Sequence, residues 1–316
     1  MASADVSASA KPYKQIAVVG TGAVGGYFGG MLARAGVRVT FIGRPAVVEV
    51  IEGHGLFIDS INFQENIRAA ASSDAAAVRG ADLVLFCVKT LDTAATAKAI
   101  APHLAFGAVV LSLQNGVENI ETIHDSAGIE ALASVVFVAA SMPEPARIKH
   151  VGRGELLIGS TTSPSRRDDL ERIIATFTLA GVPCKLSANI QADLWSKLVM
   201  NCAYNALSAI AQCTYGAATK NPASRDVIAE TAREAIAVAH ASGVTGLPVD
   251  LLERCVKLGD TMPQAISSTS QDVARHKYTE IDALNGVIIR RGRQFGVPTP
   301  VNHTLAAIVK LIEEKF

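Results

Sequence analysis

Lys197, Asn201 and Asn205 stand four residues apart in Trp195-Ser196-Lys197-Leu198-Val199-Met200-Asn201-Cys202-Ala203-Tyr204-Asn205, a spacing that lines them along one face of a helix. Almost everything else between Leu194 and Ile210 is apolar or small. Asn is a poor helix-interior residue, and a buried polar group left unpaired costs about 1–3 kcal/mol. The stripe therefore points to a polar ligand or an internal hydrogen-bond network in preference to a solvated strip. A lysine ammonium on such a face can donate a proton and stabilise negative charge developing on an oxygen. Further on, Ser268 and Gln271 in Ser267-Ser268-Thr269-Ser270-Gln271-Asp272 fit a capping box opening a helix that carries Glu280. A helix N-terminus also suits a carboxylate, so Ser268 can serve as cap and as ligand. Glu280, in Tyr278-Thr279-Glu280-Ile281-Asp282, reads on pattern alone as an ordinary surface acid.

A second constellation lies near the start of the chain. Gly20-Thr21-Gly22-Ala23-Val24-Gly25 follows the apolar run Ile16-Ala17-Val18-Val19 and precedes the helix-like stretch Tyr27 to Ala35, with a second apolar segment at Val37 to Ile42. This is a strand turning into a helix through a phosphate-binding glycine turn, in a βαβ unit of the size that holds a dinucleotide. Gly20 permits the tight turn, Gly22 lets a pyrophosphate approach the backbone, and Gly25 lets the helix lie close to the sheet. NAD-binding versions carry an acid at the end of the second strand. Here the segment runs Ile42-Gly43-Arg44, and a guanidinium there suits a 2′-phosphate, which favours NADPH.

The elements that must position these groups follow from the pattern of apolar runs. Leu83 to Val88, Ala108 to Leu113, Ser134 to Val138, Glu155 to Ile158 and Cys184 to Leu186 read as strands, with helix-like stretches at Thr93 to Leu104 and Arg167 to Ala180. Leu56 to Ile58 and Asn66 to Ala69 form a hairpin-like excursion. Val88-Lys89-Thr90 and Gln114-Asn115-Gly116 each close a strand, which puts Lys89 and Asn115 at the carboxyl edge of the sheet beside the cofactor. On local grounds Lys89 is equally a surface lysine and Asn115 a turn residue before glycine. From about Ile190 apolar residues recur at three- and four-residue spacing and strand-like runs cease. The expected fold is α/β: a Rossmann-type N-terminal domain over residues 13–189, then an all-helical C-terminal domain over 190–316. Residues 1–12, rich in Ala and Ser, are expected to be a disordered tail.

Bulk properties narrow the function classes. The chain has 316 residues, 49% hydrophobic and 18% charged, as in an ordinary globular protein. Lys plus Arg and Asp plus Glu balance at 29 each, so no overall field favours nucleic acid or an anionic membrane. Five widely spaced cysteines without a CxxC pair read as buried hydrophobes in a reducing, cytoplasmic setting. The seven histidines form no metal-ligand pattern, and no metal is expected.

The glycine turn with Arg44, Val88-Lys89-Thr90, Gln114-Asn115-Gly116, the Lys197/Asn201/Asn205 helix, and Ser267-Ser268 with Thr279-Glu280-Ile281-Asp282-Ala283-Leu284-Asn285-Gly286 occur in an order that resembles the ketopantoate reductases. These are the NADPH-dependent 2-dehydropantoate 2-reductases of pantothenate biosynthesis, and the resemblance runs from about Tyr13 to Ile312. It implies hydride transfer from the nicotinamide to the ketone carbon of ketopantoate, giving pantoate. It also implies Lys197 as the general acid and Glu280 as the residue orienting substrate hydroxyl and lysine. Asn201, Asn205 and Ser268 would bind substrate hydroxyl and carboxylate, and Lys89 and Asn115 would line the junction of nicotinamide and substrate. Competing expectations are a reductase of the same fold acting on another 2-oxo acid, and a non-catalytic NADPH-binding sensor. An opine or hydroxy-acid dehydrogenase often needs a histidine acid, and none is placed for it. Several helical faces leave monomer and homodimer equally open.

Overall fold

A computed structural model of the chain describes residues 10–161 and 166–316. The expected tail falls mainly on residues 1–9, outside the described residues; of residues 10–12, Lys11 offers its carbonyl to Arg172 Nε at 3.2 Å. The chain divides into two compact units, one ending at Ile190 and the other running Gln191–Phe316.

Among the described residues, the first unit is built on a sheet of ten strands. Its parallel centre is β1 (Gln15–Val19), β2 (Arg38–Ile42), β5 (Ala70–Ser72), β6 (Leu83–Phe86) and β7 (Val109–Ser112). β8 (Ala131–Glu144) continues the parallel run beside β7, and β9 (Arg147–Gly159) pairs antiparallel with β8. β3 (Leu56–Ser60), β4 (Gln64–Ile67) and β10 (Cys184–Leu186) complete it. Strand order is β4-β3-β9-β8-β7-β6-β1-β2-β5, with β10 beside β9.

Continuous apolar runs in the central strands exist because both faces are covered. Along β1, Ile16 and Val18 enter one core with Phe28 and Leu32 of α1 (Ala23–Arg34), Ile51 of α2 (Pro45–His54) and Phe177 of α5 (Arg167–Leu179). Ala17 and Val19 enter the other, with Ala97 and Ile100 of α3 (Thr93–Ile100) and Ile123 of α4 (Asn119–Ala127). α1 sits unusually close: a Cβ on Gly29 would come within 2.6 Å of Val18 Cγ2, and one on Gly30 within 2.5 Å of Ile58 Cδ1.

Three expectations need correction. Residues 56–69 do form a hairpin, but it is not an excursion, because β3 pairs in parallel with β9 and joins the main sheet. β8 and β9 run well beyond the apolar cores of Ser134–Val138 and Glu155–Ile158. The outer half of β9 alternates exposed and buried residues, the period of a strand covered on one face, which a search for unbroken apolar runs overlooks. The helix expected over Thr93 to Leu104 ends at Ile100 and tightens into a 3-10 turn at Ala101–His103, where Pro102 cannot donate to the α-helical ladder.

The second unit is all helical: α6 (Ile190–Ala211), α7 (Tyr215–Lys220), α8 (Pro222–Ala241), α9 (Leu251–Thr261), α10 (Ser268–Ala274), α11 (Asn285–Phe295) and α12 (Pro300–Glu313), with a 3-10 turn at Ile281–Ala283. Ala206, Ala209, Val273, Ile281, Leu305, Ala306 and Val309 form one of its cores. Among the described residues no helix is long and apolar enough to cross a membrane.

Candidate active site

In the first unit, parallel register brings four loop starts to one level. Val19 pairs with Ile42 and with Phe86, and Phe86 pairs with Ser112. The glycine turn, Arg44, Lys89 and Asn115 each follow one of these strand ends, so all lie at the carboxyl edge of four adjacent strands, where open α/β sheets bind ligands.

The three glycines do different work. Gly20 has φ +97°, and a Cβ there would meet Val88 N at 2.5 Å and Cys87 C at 2.7 Å. A Cβ on Gly25 would meet Gly20 O at 2.3 Å and Val18 Cγ1 at 3.0 Å. Both are therefore required by the chain itself. Gly22 is not: its φ of −96° is open to any residue, and a Cβ there would have nothing within 4 Å. Gly22 is also the N-cap of α1, and no side chain caps that helix. Open space beside Gly22 over uncapped first-turn N–H groups at Ala23 and Val24 is the cradle a pyrophosphate fits. Thr21 stiffens the turn, its Oγ1 donating to Ile42 O at 3.2 Å, and Gly20 N donates to the same carbonyl at 2.9 Å.

Arg44, two residues past Ile42, is the exposed N-cap of α2 and makes no ion pair or side-chain hydrogen bond among the described residues. Pro45 at the first helical position fixes where the chain leaves the strand. Lys89 is exposed and opens a 3-10 turn at Thr90–Asp92; Asn115 is half-buried before Gly116, which has φ +97°.

Between them lies a group that the sequence pattern did not single out. Gln114 is buried, and its Nε2 donates to Val88 O at 3.0 Å and to Thr93 Oγ1 at 2.8 Å, while its Oε1 accepts from Ser112 Oγ at 3.0 Å. Thr93 Oγ1 donates to Asn119 Oδ1 at 3.3 Å, and Asn119 Nδ2 donates to Asn115 O at 2.6 Å. This closed chain of amides and hydroxyls fastens the Lys89 loop to the Asn115 loop.

In the second unit, α6 carries Lys197 and Asn201, both half-buried, and Asn205, which is buried. Asn205 Oδ1 accepts from Tyr215 Oη at 3.3 Å. Burial pushes the Tyr215 phenol up to about 12, so it is a donor at neutral pH. Asn201 makes no side-chain hydrogen bond among the described residues, although it is half-buried on a helix.

Two further segments are tied to the same helix. Ser267 Oγ donates to Asn205 O at 3.3 Å, which brings the start of α10 to the inner end of the stripe. Asn285 Nδ2 donates to Cys202 O at 3.3 Å, which ties the start of α11 to the middle of α6. Two details of the capping region differ from expectation. The cap of α10 is Ser267, whose side chain accepts from Ser270 N at 3.0 Å; Ser268 is the exposed first helical residue, so the cap and the candidate ligand are different serines. Glu280 is not on that helix, since α10 stops at Ala274; it is the half-buried N-cap of the Ile281–Ala283 turn.

Family models described as ketopantoate reductase PanE/ApbA and as its C terminal match residues 16–163 and 189–313. The chain belongs to the ketopantoate reductase family. It is 30% identical over 302 residues to a 2-dehydropantoate 2-reductase of Halobacterium salinarum, covering 95% of this chain and 99% of that one. A crystal structure of a PanE/ApbA family ketopantoate reductase from Ralstonia eutropha JMP134 superposes with a TM-score of 0.88 at 48% identity, covering 95% of this chain and 99% of that one. A D-mandelate dehydrogenase solved with NADH and anilino(oxo)acetate superposes equally well, TM-score 0.88, but at 24% identity over 95% of this chain and 99% of that one; that likeness concerns the fold. As a ketopantoate reductase family member the chain is an NAD(P)-dependent oxidoreductase with a Rossmann-like N-terminal unit and a helical C-terminal unit.

Proposed function

We propose that this chain reduces the ketone of 2-dehydropantoate to the alcohol of pantoate, with NADPH as the reductant. The observation that carries the reading is the α6 stripe. It is a lysine and two amides on one face of a largely apolar helix, with the Asn201 amide unpartnered among the described residues. A 2-oxo acid bearing a hydroxyl offers the carbonyl, carboxylate and hydroxyl that such a set would hold.

When bound, NADPH supplies a hydride to the ketone carbon. The Lys197 ammonium donates a proton to the oxygen that becomes the alkoxide and stabilises its charge, so that hydride plus proton convert C=O to CH–OH. Asn201, Asn205 and Ser268 hold the substrate hydroxyl and carboxylate, and Glu280 orients the hydroxyl and the lysine. Gly20, Thr21, Gly22, Ala23, Val24 and Gly25 hold the pyrophosphate, with Lys89 and Asn115 toward the nicotinamide. Arg44 stands where an NAD-binding chain would carry an acid, and its exposed guanidinium suits a 2′-phosphate, which is the reason for NADPH.

Replacing Lys197 tests the assignment. Lys197→Ala is expected to lose about 10²–10⁴-fold in turnover of 2-dehydropantoate, the range for a positioned acid, while binding NADPH as the unaltered chain does. Near-normal turnover in that variant would remove Lys197 from the chemistry.

A further inference from the structure

Glu313 lies on the inward face of α12 with Asn302, Leu305, Ala306 and Val309, and only 3% of it is exposed. A carboxylate in such a place is tolerated only where its oxygens are hydrogen-bonded or paired. Oε1 accepts from Thr279 N at 2.8 Å and from Thr279 Oγ1 at 2.6 Å, and Oε2 pairs with Lys310 Nζ at 3.0 Å. Lys310 Nζ also donates to Asp282 Oδ2 at 2.9 Å, and Thr279 Oγ1 accepts from Ile281 N at 3.2 Å. Thr279, Ile281 and Asp282, which bracket Glu280 on both sides, are thus tied to two side chains of the last turns of α12.

The arrangement has a chemical consequence. Glu280 is the N-cap of its own 3-10 turn yet makes no side-chain cap hydrogen bond. The neighbouring Thr279 hydroxyl receives the Ile281 N–H instead. A buried acid on α12 therefore holds, through Thr279, the start of the turn that Glu280 opens.

We propose that Glu313, acting through Thr279, is a positioning residue for Glu280: it fixes the backbone on both sides of that acid, and with it the direction in which the Glu280 side chain leaves the turn. The proposal rests on the reading of Glu280 as a substrate-orienting group. The test is steady-state kinetics with 2-dehydropantoate and NADPH on the full chain. The variants are Thr279→Val, Thr279→Ser, Glu313→Gln, Glu280→Gln and the double variant Thr279→Val/Glu280→Gln, each with a separate measurement of NADPH affinity.

Misplacing a catalytic group by an ångström can cost about 100-fold. Thr279→Val and Glu313→Gln are expected to lose about 10- to 100-fold in kcat, with NADPH affinity unchanged and with Thr279→Ser restoring the rate. The double variant is expected to be no slower than Glu280→Gln alone. If Glu313→Gln fails to fold, the Thr279 series decides alone. A Thr279→Val loss of equal factor with and without Glu280, or no loss at all, would overturn the positioning role while leaving Glu280 in place. Full turnover in Glu280→Gln would overturn the reading of Glu280 itself, and this proposal with it.

Discussion

Gly22 is the residue at which folding and the proposed pyrophosphate contact make different demands. Its backbone suits alanine, and a methyl there meets nothing within 4 Å, so a gain of about 0.4–1 kcal/mol from a stiffer unfolded chain is set against the poorer N-cap that alanine makes, and Gly22→Ala should fold with stability within about 1 kcal/mol of the parent. The same methyl would occupy the space a pyrophosphate needs, so NADPH binding should weaken. Thermal denaturation and a binding titration on one preparation check both halves; a stable variant with undiminished affinity would mean that the cradle is not used. Arg44→Ala should weaken NADPH while leaving NADH little changed, and an equal loss for both cofactors would show that the guanidinium does not read the 2′-phosphate. The placement of these residues in the fold was legible in the sequence because their types are constrained locally, by a turn or a strand end. Gln114, Thr93 and Asn119 were less so, because their partners are 21 to 26 residues away and only the folded sheet brings them together. Glu313 did leave a trace: it falls four residues after Val309 on the apolar stripe of α12, and an acid in that register signals a buried partner.

At the carboxyl edge of the sheet the pair of loops after β6 and β7 is joined through Gln114. Gln114→Leu keeps the bulk but strips donors and acceptors from Val88 O, Thr93 and Ser112. Leaving buried polar groups unmatched should cost about 1–3 kcal/mol in denaturant unfolding, and it should weaken nicotinamide-end contacts by loosening Lys89 and Asn115. A variant as stable as the parent would show that the amide network is not what fastens these loops. At this scale the sequence was a good guide where one physical signal dominates, as in the central strands and the amphipathic helices. It misled where two readings share a pattern: Ser267 and Ser268 are adjacent hydroxyls, and only the backbone decides that Ser267 receives Ser270 N–H. The outer length of β9 escaped notice for a related reason, since its alternating residues carry little hydrophobic signal.

Across the whole molecule, the cysteines are consistent with a core that uses them for packing. Cys184, Cys202 and Cys255 are buried, Cys87 and Cys213 are half-buried, and all five are free thiols. Burial pushes Cys184 and Cys255 up to about 12 and holds Cys87 and Cys202 well above the ordinary thiol range. At pH 8 these four are therefore protonated, and the thiol is a poor nucleophile. A thiol reagent should label the native chain slowly, reaching Cys213 first, and all five only after denaturation; rapid native labelling of Cys202 or Cys255 would contradict this packing.

Substrate turnover tests most directly whether the chain reduces 2-dehydropantoate with NADPH. Purified chain would be mixed with NADPH and 2-dehydropantoate while nicotinamide oxidation is followed, with NADH and a panel of other 2-oxo acids in parallel. Fast oxidation confined to NADPH with 2-dehydropantoate is the expected result. Tight NADPH binding without turnover of 2-dehydropantoate, alongside turnover of another 2-oxo acid, would contradict it.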